Sequence, residues 1–343
     1  MSHAGTRAER ESWKQQCEAK FAEPGFIRGK VEPLIPELAG NGDRAATATF
    51  ARAKATGRMT LRYDFEQTGA VYAKAYYGNG IGLRAYEWLR LLWKDGFDSE
   101  SCYRVPEPLG YLAEDGMLLM REVHGTPASE LAAEGPREKA VEAMRLAARW
   151  LLRFHRSHLE ALDVEPPCEQ IEVLKTAALL AKVAAQFPER ASALIDMVHQ
   201  LREFAPSTAA PVGLVPLHGQ YRPAHVLINC DSVCVIDLDK IRLSDPAKDV
   251  SRFVHVLKKT CYEAGGDAAR ADLLGREFVD EYRKGAPANL ANLAYFDGLY
   301  ALKAFAKVVK SGKVGEPARE AMERLYLDDF ERATQQPTAS KVA

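Results

Sequence analysis

Leu217–Asp249 reads LHGQYRPAHVLINCDSVCVIDLDKIRLSDPAKD. It opens as a polar loop carrying His218, Gly219, Arg222, Pro223 and His225, too rich in breakers for a strand. Val226-Leu227-Ile228 and Val233-Cys234-Val235-Ile236 are short apolar runs on either side of Asn229-Cys230-Asp231-Ser232, which predicts a tight β-hairpin. Asp237 and Asp239 follow, two residues apart and so on one face of an extended chain. A carboxylate pair at the end of a buried hairpin is costly without a cation. A divalent metal with phosphate is one solution, because hard cations take carboxylate oxygens.

Working outward, the length of 343 residues allows a substantial core, as one large two-lobed domain or two domains. A formal net charge of −1 offers no global attraction to nucleic acid or an anionic membrane. The N-terminus MSHAGTRAERESWKQQ has no apolar core of a leader, and no long apolar run occurs, so the chain reads as soluble and cytoplasmic. Its cysteines lack a Cys-x-x-Cys pair and read as reduced thiols.

Before the central stretch, residues 6–21 predict a charged helix ending at Pro24-Gly25. Met59, Leu61, Tyr63 and Phe65 alternate with Thr60, Arg62, Asp64 and Glu66, a period of two that predicts a strand paired with Ala46–Ala53. Val71–Tyr77 gives a third strand, Leu83–Lys94 a helix, and Pro106–Tyr111 and Gly116–Val123 two more strands. Pro136–Leu162 predicts a long helix with His155 on its apolar stripe, more readily a satisfied core histidine than a ligand. Helices follow over 168–187 and 189–205 and, beyond the central stretch, over Val250–Glu263, Arg270–Arg283, Leu290–Ser311 and Glu316–Arg332.

The central layout resembles the catalytic hairpin of the aminoglycoside phosphotransferase and choline kinase-like family, a branch of the protein-kinase fold. His218-Gly219, Ile236-Asp237-Leu238-Asp239 and Asp245-Pro246-Ala247-Lys248-Asp249 carry the likeness. Gln220 stands where the family has its catalytic Asp, and His225 where it has a metal-binding Asn. The resemblance implies an α+β, bilobal kinase-like fold: a small antiparallel β-sheet N-lobe and a larger, mainly helical C-lobe. The expected division is a lead-in over 1–44, the N-lobe over 45–124, the C-lobe over 125–333 and a frayed tail over 334–343.

The resemblance also implies an ATP-dependent phosphotransferase that acts on a small hydroxylated metabolite with Mg²⁺ or Mn²⁺. Lys74 would contact the phosphates, anchored by Glu87 on the following helix. Glu122 and His124 fall at the hinge that meets the adenine. Asp237 and His225 fall at the metal positions, although a His ligand suits Mn²⁺ better than Mg²⁺. Gln220 can hydrogen-bond an acceptor hydroxyl, Asp239 is the candidate base or second metal ligand, and Arg222 could bind the transferred phosphoryl group or pair with Asp237 or Asp239. Asp249 is expected to cap a helix start. The departures at Gln220 and His225 support a second reading: a pseudokinase that binds nucleotide or a protein partner without phosphoryl transfer.

Overall fold

The computed structural model describes residues 6–38, 46–54, 57–66, 69–159, 169–205, 213–265, 267–311 and 316–335. The chain divides into two compact units, Met1–Gly125 with Leu227–Ile241, and Thr126–Val226 with Arg242–Ala343. Of the expected tail, Thr334 and Gln335 are helical and 336–343 lie outside the described residues.

In the first unit, β1 (Ala46–Lys54), β2 (Arg58–Phe65), β3 (Gly69–Tyr76), β4 (Pro108–Leu112) and β5 (Met117–Arg121) form an antiparallel sheet in the order β1-β2-β3-β5-β4. Period two sorts its faces. Met59, Leu61, Tyr63, Val71, Ala73 and Leu119 pack against Phe21, Phe26, Ile27 and Val31, from α1 (Arg7–Ala22) and the turns after it. A capping box starts α1: the Thr6 hydroxyl accepts from Glu9 N, and the Glu9 carboxylate accepts from Thr6 N. The Tyr63 hydroxyl donates to the Phe21 carbonyl at 3.1 Å, so that buried donor is satisfied. β3 is central, and Lys74 on it lies between Thr60 and Leu118 in register.

α2 (Asn79–Lys94) buries Ala85, Trp88, Leu89 and Leu92. The predicted hairpin forms between strands Val226–Asn229 and Ser232–Val235, and the second pairs in parallel with Tyr103–Arg104. In its turn Cys230 takes φ +49°, a left-handed conformation uncommon for residues other than glycine.

The second unit is mainly helical: α3 (Ala128–Glu134), α4 (Arg137–His155), α5 (Glu169–Gln186), α6 (Ala191–Glu203), α7 (Ala247–Gly265), α8 (Ala268–Gly285), α9 (Leu293–Ser311) and α10 (Glu316–Gln335). α5, α6, α9 and α10 share a core that includes Leu180, Leu201, Phe296, Phe305, Tyr326 and Phe330. α4 ends at His155, short of the predicted Leu162. The Ser157 hydroxyl donates to the Phe154 carbonyl at 2.7 Å and satisfies one of the acceptors freed at the terminus. Among the described residues no helix is long and apolar enough to cross a membrane.

Candidate functional site

The first unit holds a small pocket lined by Lys74 and Tyr76 of β3, Ala85 and Leu89 of α2, and Asp237 and Asp239 after the hairpin. Register explains its polar wall. Arg58 of β2 lies opposite Tyr76 and Thr60 opposite Lys74, all on the face turned away from the apolar core. Two cations meet two carboxylates here. Lys74 Nζ donates to Asp237 Oδ1 at 2.8 Å and lies 3.6 Å from Asp239 Oδ1. Arg58 donates to Asp239 Oδ2 and stands 4.0 Å from Asp237 Oδ1. With its side chain only 2% exposed, Asp239 would cost several kcal/mol as an unpaired charge.

Burial pulls the Arg58 guanidinium down, yet Asp239 and Asp237 leave it above its ordinary value. Burial and the same carboxylates push the Tyr76 hydroxyl up, so it stays neutral. Asp237 itself sits at φ +69°, an uncommon conformation that Asp tolerates better than most residues.

In the second unit the polar loop is held by its backbone and by one aromatic ring. Tyr221 is fully buried, stacked on Trp150 at 5.8 Å and on Phe253 at 5.2 Å, and its hydroxyl donates to the Ala147 carbonyl at 2.8 Å. Asp249, on the first turn of α7, accepts from His218 N at 2.7 Å and Gly219 N at 3.1 Å. Gly219 takes φ +72°, which a glycine adopts without strain. His155 Nε2 is 3.6 Å from Asp249, and its Nδ1 is 2.7 Å from the Tyr282 hydroxyl. Burial raises the Asp249 carboxyl, but His155, His218 and the loop N–H hold it below its ordinary value. Gln220 is half-buried, and its N donates to His218 Nδ1 at 3.3 Å. Arg222 Nε donates to His225 Nε2 at 2.6 Å.

The family profile described as "Phosphotransferase enzyme family" matches residues 80–288, from α2 through the loop and hairpin to the end of α8. The chain belongs to this family. Among solved structures it is similar to a choline/ethanolamine kinase family protein from Mesorhizobium loti, with a TM-score of 0.56 and 15% identity over 96% of this chain and 97% of the other. A choline kinase from Cryptosporidium parvum gives 0.57 and 11%, over 90% and 96%. An amicoumacin kinase in complex with AMP-PNP, Ca²⁺ and Ami gives 0.55 and 12%, over 96% and 99%. No curated protein is matched by sequence. The family and its kinase-like α+β fold are therefore those the motifs implied.

Several expected roles change with the geometry. Glu87 does not reach Lys74: α2 turns Ala85, Trp88 and Leu89 inward and leaves Glu87 on its exposed face. Asp237 is the carboxylate that anchors Lys74 instead. Asp239 is buried against Arg58, so it is not presented as a general base. His225 Nε2 faces the Arg222 guanidinium, which withholds that lone pair from a metal. The start of α7 is capped by Asp245, which accepts from Ala247 N at 2.9 Å, while Asp249 grips the loop. Glu122 accepts from Arg62 Nε at 3.1 Å and lies 3.6 Å from His124, whose side chain is 81% exposed. His155 is a core histidine, as its stripe indicated: Nδ1 is bonded to the Tyr282 hydroxyl, while the buried Nε2 has the Asp249 carboxylate at 3.6 Å and makes no hydrogen bond among the described residues.

Arg58 and Tyr76 are site residues that the motifs did not flag. The signal was present: Tyr76 is two beyond Lys74, and Arg58 shares the polar parity of Thr60 and Arg62.

The groups suggested for the site can be tested against these residues. Beside the apolar side chains of Ala85 and Leu89, Lys74 and the neighbouring Arg58 carry the kind of N–H donors that phosphate oxygens take. Mg²⁺ fits poorly, because it demands near-octahedral oxygen ligands. Asp237 Oδ1 and both oxygens of Asp239 lie within 4.0 Å of a cationic nitrogen. Among the described residues no group of three or more His, Cys, Asp and Glu is arranged to hold a metal.

Proposed function

We propose that this chain is an ATP-dependent phosphotransferase of the aminoglycoside and choline kinase-like type, acting on a small hydroxylated metabolite. The observation that supports it is Lys74 held by Asp237 at 2.8 Å on the wall of the pocket. A lysine anchored in this way presents its charge to phosphates with little freedom of its own. ATP supplies the phosphoryl group when bound. Mg²⁺ or Mn²⁺ at Asp237 belongs to this reading only by family likeness, since Lys74 already occupies that carboxylate. The net charge of −1 gives no global attraction to nucleic acid or an anionic membrane, in keeping with a small-molecule partner.

Gln220 supplies an amide to orient the acceptor hydroxyl. It cannot take the proton, and that help is typically worth about 10²–10⁴ in rate. Phosphoryl transfer rests mainly on positioning and charge, so the reading is of a slow enzyme. One observation favours the second reading, nucleotide binding without transfer: Gln220 and the Arg222–His225 pair leave the loop without a carboxylate.

An acceptor screen decides between them. ATP turnover with a panel of sugars, amino alcohols and amino sugars should show ADP release that depends on one acceptor class and is lost in Lys74→Met. Nucleotide binding with no acceptor-dependent turnover anywhere in the panel would leave the pseudokinase reading standing.

A further inference from the structure

Each family metal position in this chain has a guanidinium at it. In the first unit, Arg58 lies on the Asp237–Asp239 pair, donating to Asp239 and standing 4.0 Å from Asp237. In the second, Arg222 Nε sits 2.6 Å from His225 Nε2. The four charged groups of the pocket, Arg58, Lys74, Asp237 and Asp239, sum to zero without any bound ion. A divalent cation entering beside Arg58 and Lys74 would meet two positive charges in a half-buried setting. It would have to displace Lys74 from Asp237 Oδ1 and Arg58 from Asp239 Oδ2, and Asp239 Oδ1, which accepts no hydrogen bond from the described residues, lies 3.6 Å from Lys74 Nζ.

A nucleotide triphosphate needs donors along its oxygens, and the same two cationic residues have N–H groups beyond those their carboxylates take. Arg58 carries five N–H donors and Lys74 three, and one hydrogen bond from each is directed at a carboxylate. Their side chains are 21% and 19% exposed, so the remaining donors are within reach of a ligand. A planar guanidinium that bridges a fixed carboxylate and a phosphate does electrostatically what a bridging metal does, and it cannot lose its proton.

We infer that Arg58 is the built-in cation of the nucleotide pocket, and that this chain binds the triphosphate of ATP without a divalent metal. The inference rests on the nucleotide-binding part of the proposed function and holds under either of its readings. Lys74 and Arg58 act together, Lys74 fixed by Asp237 and Arg58 by Asp239. Because Arg58 begins β2, its guanidinium is placed by sheet register rather than by a mobile loop.

The test is the thermal midpoint of the full chain with ATP, once in EDTA and once in MgCl₂, with adenosine as the phosphate-free control. Wild type should rise by about 2 °C or more with ATP in EDTA, at least as much as in MgCl₂, and should not respond to adenosine. In Arg58→Gln the shift in EDTA should disappear and return with MgCl₂ or MnCl₂, because the carboxylates are released to a metal. Should Arg58→Gln fail to fold, Arg58→Gln combined with Asp239→Asn removes both charges and must likewise lose the EDTA shift. A wild-type shift that appears only with metal overturns the inference while leaving the nucleotide site intact. No shift in wild type and Arg58→Gln under every condition overturns the nucleotide reading itself.

Discussion

The pocket of the first unit and the loop of the second have diverged from the family pattern in opposite ways. In the pocket the motif residues Lys74 and Asp237 stand as the likeness implies, with Arg58 as a second cation beside them. In the loop the motif residues differ, Gln220 standing where the likeness implies Asp and His225 where it implies Asn, while Asp249 still holds the loop backbone. The difference teaches what each site depends on. The pocket works through side-chain charge, so its chemistry changes with every substitution. Asp249 holds the loop through the N–H groups of His218 and Gly219, which any side chain at residue 220 leaves in place. Residue 220 is thus free to vary without loss of the scaffold.

The sharpest way to break this contrast is Gln220→Asp. If the loop is held by its backbone, the variant should fold as wild type and gain about 10²–10⁴ in kcat for the acceptor found by screening. The ATP-induced thermal shift should not change. A correctly folded variant with no gain in turnover would show that the loop needs more than its lost carboxylate.

Next in size is Asp249→Ala, which takes the carboxylate away from His155 and leaves the buried His218 N–H and the part-buried Gly219 N–H without their acceptor. It should cost about 3–5 kcal/mol in urea unfolding. The same group predicts a pH effect. Its folded pKa lies below its unfolded one, so its contribution is fully present above the ordinary carboxylate range and is lost as pH falls toward the folded value. Asp249→Asn should flatten that acid limb of the stability curve, and an unchanged limb would assign it to other carboxylates.

Lys74→Met is the matching cut in the pocket. At a hundred times Kd, ATP should stabilise wild type by about 2.7 kcal/mol, and the variant should lose that gain. Tyr221→Phe is the smallest change: it removes one buried hydrogen bond to Ala147 and should cost about 1 kcal/mol, with ATP binding untouched. A loss of ATP binding in Tyr221→Phe would mean that the two regions are coupled.

Much of the fold was legible because the periodicities were clean. Met59, Leu61, Tyr63 and Phe65 declared β2 and its buried face, and the apolar runs around Asn229–Ser232 declared the hairpin. The site was legible where it depended on order along the chain, as at Lys74 and Asp237. It was not legible where it depended on helix phase or cross-strand register. Glu87 has the right place in sequence and the wrong side of α2, a difference of rotation that linear spacing conceals. Arg58 needed the β2–β3 register before its proximity to Asp239 could be seen. Asp249 looked like a helix cap because its reach back to His218 spans a long stretch of chain.

The stack of Tyr221 on Trp150 also gives the loop a colour of its own. The two rings lie 5.8 Å apart and 9° from parallel in a dry core, so their transitions couple and Trp150 emits from an apolar setting. Four tryptophans contribute to these signals, so the difference in near-ultraviolet dichroism and emission between wild type and Trp150→Phe isolates the part that reads the seating of Tyr221, without label or ligand. A spectrum can report whether the loop is seated before any acceptor is known.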